Sequence, residues 1–91
     1  MNILDIMRDR IQALYITHPH IHVNIMLKHP HKMRLNNLPV VIKSVYPHMF
    51  QVEDVSEGTP KLYMHQYTDL VTKDIEILEL SDIINQEIEM N

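Results

Sequence analysis

Sixteen residues near the middle of the chain admit few folds: Val-Val-Ile-Lys-Ser-Val-Tyr-Pro-His-Met-Phe-Gln-Val-Glu-Asp-Val, from Val40 to Val55. Val40, Val41, Ile42 and Val45 are β-branched, and such side chains suit a pleated, half-buried surface. Pro47 lacks a backbone donor and biases Tyr46 towards an extended conformation. A second run begins at once, with Phe50 and Val52 two apart and so on one face of a strand. The stretch therefore reads as two strands meeting at a Tyr46-Pro47-His48-Met49 turn. Phe50 is the single Phe of a chain without Trp. Core packing is expected for it and for Tyr46, ahead of a role as a stacking platform for bases.

The flanking sequence extends this pattern. Ile3, Met7, Ile11 and Leu14 form one helical stripe, with Asn2 as N-cap and Asp5 in the first turn, which predicts a helix over residues 2–15. A helix of this kind packs across a small sheet; lying on a membrane would call for more basic charge. Ile21, Val23, Ile25 and Leu27 alternate with His22, Asn24, Met26 and Lys28, the cleanest period of two in the chain. Lys28 to Lys32 forms a loop. Met33 to Leu38 and Val40 to Val45 form a second extended stretch, with a bulge, bend or edge position expected at Pro39. The third strand is expected over Met49 to Val55, followed by a loop from Ser56 to Pro60. In the fourth strand, Lys61 to Gln66, Leu62 and Met64 face one way and Tyr63 and His65 the other. Tyr67 to Leu70 reads as one tight turn capped by Thr68 or Asp69. Ile75, Ile77 and Leu80 mark the last strand, alternating with Asp74, Glu76 and Glu79. A short helix is expected in the tail, residues 81–91.

These elements predict a mainly β fold: a small SH3-like or Sm-like antiparallel barrel of about five strands over residues 20–80, with an N-terminal helix and a short C-terminal one. Ninety-one residues make a single domain, 1–91. A core this small would gain from a homodimer interface. The chain has no cysteine and one glycine. Disulfides, thiolate metal sites and a glycine-rich phosphate cradle are excluded, and a cytoplasmic setting is expected. No secretory signal or membrane span is read from the sequence.

The net charge of −4 hides a segregation. No Asp or Glu lies between Arg10 and Val52, whereas ten carboxylates follow from Glu53 onwards. Such asymmetry marks either a surface for an anionic partner or two halves that pair on folding. Lys28, Lys32, Arg34 and Lys43 would cluster if the first two strands pair, and make the candidate binding surface for protein or nucleic acid. His20 and His22 could share a metal ion from one face of a strand, and His29 and His31 could supply a second pair. The preferred reading leaves His22 on the solvent face, the others in loops, and no metal or other cofactor bound. No nucleophile–base set is apparent, so no enzyme activity is expected.

Tyr46-Pro47-x-x-Phe50-x-Val52 and, one hairpin later, Tyr67-Thr68-Asp69-Leu70-Val71-Thr72 stand in the order and approximate spacing of two signature blocks of the Veg family of small bacterial proteins. The chain resembles a divergent member. The resemblance implies a small Sm-like barrel without enzyme activity that stimulates biofilm formation by affecting transcriptional control of matrix genes, through contact with a protein partner, a transcriptional regulator. It also implies mainly structural roles for Tyr46, Pro47, Phe50, Val52, Tyr67, Asp69 and Thr72. The glycine-rich basic turn usual in the family is replaced here by Lys28-His29-Pro30-His31-Lys32-Met33-Arg34, without glycine.

Overall fold

A computed structural model describes residues 2–56 and 58–80. The expected tail helix over 81–91 lies outside the described residues. The first element is α1 (Ile3–Thr17). Asn2 is its N-cap, with the side-chain oxygen accepting from the Asp5 amide at 2.9 Å. The helix runs two residues beyond the expected end and stops at His18, whose amide still donates to Leu14. His18 precedes Pro19, which disfavours a helical conformation at His18. Ile11 and Leu14 are buried and Met7 packs beside them, while Ile3 is half exposed. Only the C-terminal part of the stripe meets the sheet, and it packs on β2 (Met33–Val45).

The remaining strands are β1 (His20–Leu27), β3 (Met49–Asp54), β4 (Lys61–Gln66) and β5 (Ile75–Ile77). The one-turn helix α2 (Thr68–Thr72) joins the last two. All pairings are antiparallel, in the order β4-β3-β2-β1-β5. The sheet has two edges, and closure into a barrel is not part of the described hydrogen bonding. Ile21, Val23, Ile25, Val40, Ile42, Phe50, Val52, Ile75 and Ile77 fill one face, together with Ile11, Leu14, Tyr67 and Leu80.

Several expected details shift. β3 ends at Asp54, and Val55 is exposed. Leu80 is buried, but from a helical stretch over residues 78–80 rather than from a strand. β2 is continuous through Pro39, which pairs with His22 in regular register. The His22 amide donates to Glu79 and so points away from β2. The His22–Pro39 pair therefore needs no hydrogen bond, and the missing Pro39 donor faces a stretch beyond the end of β3. The irregularities fall elsewhere on β2. Between Leu35 and Leu38 an extra residue enters at Asn36 and Asn37, and Asn37 takes a positive φ of 54°. A second extra residue enters at Lys43 and Ser44, opposite Gln51. Asn tolerates left-handed backbone better than most residues and suits the first bulge.

Candidate functional site

The outer face of the β2-β1-β5 edge carries the densest polar network among the described residues. Arg34 on β2 lies opposite Met26, and Glu76 on β5 lies opposite Asn24. The Arg34 guanidinium crosses the outer face of β1 and donates from Nη2 to Glu76. Its Nε donates to the Asn36 side-chain oxygen at 2.9 Å. The Asn24 side-chain oxygen accepts the Asn37 amide at 2.8 Å, which anchors the bulge to the neighbouring strand. Lys28, just past β1, stands 3.6 Å from Asp74. Beyond the end of β5, Glu79 takes the His22 amide at 2.8 Å and lies 3.0 Å from its Nδ1. Thus cations of the carboxylate-free half meet carboxylates of the acidic half across β1.

This geometry divides the predicted basic cluster. Lys28 and Arg34 are engaged with Asp74 and Glu76. Lys32 lies exposed in the hairpin loop, with no ion pair among the described residues. Lys43 sits at the second bulge, about 25–30 Å from Arg34 along β2 at strand rise. Strand pairing brings Lys28, Lys32 and Arg34 to one end of the sheet and leaves Lys43 at the other. Sequence reasoning missed Asp74, Glu76 and Glu79 as partners of the basic hairpin. Their signal was the alternation with Ile75 and Ile77, which sends Asp74 and Glu76 outward.

His20 and His22 lie exposed on the outer face of β1, and His29 and His31 in the hairpin loop. Among the described residues no three His, Cys, Asp or Glu side chains converge to hold a metal ion.

The turn blocks form a second constellation, inside the fold. Phe50 is fully buried and stacks on Tyr67, with centroids 5.6 Å apart. The Tyr67 hydroxyl donates to the Tyr46 carbonyl at 2.5 Å, with the Met49 carbonyl 3.1 Å away. The turn itself closes through the Tyr46 amide and the Met49 carbonyl at 2.8 Å. Tyr67 therefore pins the β2-β3 turn from the far side of the core. Burial raises the Tyr67 hydroxyl above the usual tyrosine range, partly opposed by nearby Arg8. Tyr46, expected in the core, is exposed, and its backbone rather than its ring carries the contact. Pro47 is exposed, and Val52 is buried in the core. Asp69 takes the Gln66 amide at 3.0 Å and stands 3.3 Å from His65 Nδ1, tying the end of β4 to α2. The side-chain cap expected from Thr68 or Asp69 is not formed, since the N-cap of α2 is Tyr67 without a side-chain cap hydrogen bond. The Thr72 hydroxyl reaches Asp74 at 3.0 Å.

No family model matches this chain, and no curated protein does.

Two cavities border these groups. One, of about 390 Å³, lies between the start of α1 and the turn, with Asp5, Arg8, His48 and Tyr67 in its wall. The other, an open cleft of about 430 Å³, separates β4 from the end of β1, with Met26, Lys28, Leu62 and Met64 among its lining. No helix among the described residues is long and apolar enough to cross a membrane.

Proposed function

We propose that the chain is a non-enzymatic, Veg-like regulatory protein whose small barrel acts through protein contact, its partner a transcriptional regulator. Support comes from the order of elements, a helix, four strands, a one-turn helix and a fifth strand. It comes also from the joint use of the two motif blocks, which meet through Phe50, Tyr67 and the Tyr46 carbonyl. In this reading the sheet is a barrel, its seam the cleft between β4 and the end of β1.

The observation that carries the choice of partner is the internal pairing of Lys28 and Arg34 with Asp74 and Glu76. A phosphate-binding track needs cations whose counterions are displaced by nucleic acid, not cations already held by carboxylates. Alternating positive and negative groups at the hairpin end suit a protein surface of mixed charge. The contact is centred on the hairpin end, with Lys32 as its exposed cation and Arg34 at its margin.

The test has two arms. Labelled DNA and RNA, titrated by fluorescence anisotropy at low salt, are expected to show no saturable binding. Saturable, steeply salt-dependent binding would transfer the hairpin to the nucleic-acid reading. A matrix-gene reporter in a bacterial host should respond to the wild-type chain and lose the response with Lys32→Ala combined with Arg34→Ala. An undiminished response to that variant would remove the hairpin from the contact.

A further inference from the structure

The more enclosed of the two cavities, about 390 Å³, lies at the opposite end of β2 from the basic hairpin. There the first turns of α1 meet the β2-β3 turn and the start of α2. Ligand pockets run to roughly 300–1,000 Å³, so this one suits a small molecule. Asp5 and Arg8 stand about one turn apart on α1, and both lie in its wall. Arg8 Nη1 is 3.5 Å from Asp5, and its Nη2 is 3.5 Å from Asp9. Both contacts are longer than a charge-assisted hydrogen bond of about 2.7–2.9 Å, and the guanidinium is a planar fork of five donors. Neither carboxylate holds that fork in a bidentate pair.

The rest of the wall is rich in donors. The Asn2 side-chain oxygen accepts the Asp5 amide, which leaves its side-chain nitrogen to donate. The Gln66 side-chain oxygen takes the Thr68 hydroxyl at 3.3 Å, which leaves its nitrogen likewise. Among the described residues, Asp5 is the one carboxylate of the wall. The complement of this set is a carboxylate beside a cationic donor, the first for Arg8, Asn2 and Gln66, the second for Asp5. A phosphate would meet Asp5 with like charge, and a plain carboxylate would bring Asp5 no donor. Leu4 and Pro47 add apolar wall for an attached side chain. We propose that this cavity binds a small zwitterion, a free α-amino acid, with its carboxylate on Arg8 and its ammonium on Asp5. Only the C-terminal part of α1 meets the sheet, so the bound amino acid ties the first turns of α1 to the β2-β3 turn and α2. The proposal is independent of the hairpin contact.

Amide NMR of the full chain, titrated separately with each of the common free amino acids, tests this. At least one should give saturable shifts centred on Asp5, Arg8, His48 and Thr68, with a Kd below about 1 mM, and should raise the melting temperature. Capping that amino acid, as the amide at its carboxylate or as the acetyl derivative at its amine, should weaken binding at least about tenfold in each case. Arg8→Met and Asp5→Asn should each do the same to the uncapped amino acid, with unchanged circular dichroism. The capped ligands keep the test decisive if either variant fails to fold. Inorganic phosphate and acetate should leave the spectrum unchanged. The proposal is overturned if no amino acid approaches saturation by about 10 mM, well above the expected Kd. Capped forms or folded variants that bind as tightly as the originals, or phosphate that binds more tightly than any amino acid, would also overturn it.

Discussion

At the level of single residues, two side chains hold turns in ways that pH should reveal. The Tyr67 hydroxyl donates a hydrogen bond, so it must stay protonated to pin the Tyr46 carbonyl. Its value is raised by burial, so its contribution is complete below the ordinary tyrosine range, about 10, and fades as pH climbs towards the raised folded value. Tyr67→Phe should cost about 1–2 kcal/mol in urea unfolding at neutral pH and flatten the alkaline limb of the stability profile. Asp54 behaves in the opposite sense. It is buried, and its Oδ1 accepts the Ser56 hydroxyl at 2.5 Å and the Ser56 amide at 2.9 Å. These bonds, hydroxyl first, hold its carboxyl below the usual range despite burial, with Lys61 adding a smaller pull. Its contribution is therefore present above about 4 and lost as pH falls through the depressed folded value. Ser56→Ala should cost about 1 kcal/mol at neutral pH, and the gap to wild type should close in acid.

At the level of elements, backbone conformation and register decide what side-chain patterns alone leave open. Among the described residues the left-handed positions are Asn37 and Lys73, not Gly58. Lys73 caps α2 with a φ of 66°. Lys73→Gly should raise stability by about 0.5–1 kcal/mol, read as a higher melting temperature. Pro39→Ala should change stability by less than about 0.5 kcal/mol, because Pro39 lies at a pair with His22 that needs no hydrogen bond and outside the β2-β3 pairing. Much of the sheet was legible from period-two alternation: β1 and β4 match their expected ranges to within a residue, and Phe50 sits at the centre of the core as expected. The bulges were not, since they answer to partner strands. Nor was the orientation of β4, where the more apolar face, Leu62 and Met64, points to solvent. Pairing of Phe50 with His65 and of Val52 with Tyr63 turns those residues inward, whatever the hydropathy of β4 itself. Tyr67 was legible as a motif residue but not as a core anchor, because its partner is a backbone carbonyl on a distant turn.

Across the whole molecule, the segregation of charge along the sequence resolves into pairing across the sheet. The antiparallel β1-β5 contact brings the carboxylate-free half against the acidic half, and Arg34, Lys28 and His22 each meet a carboxylate there. The sequence showed the two blocks, but only the β4-β3-β2-β1-β5 order says that they touch. Lys43, at the far end of β2, stays outside this arrangement and shows that proximity in sequence was a poor guide to the cluster. The most direct measurement is a double-mutant cycle on Arg34→Ala and Glu76→Ala, by urea unfolding at low salt. Both side chains are partly exposed, so the account predicts a coupling of about 0.5–1 kcal/mol that shrinks as salt is added. Strictly additive effects at every salt concentration would contradict the claim that the two halves are held together by this pairing.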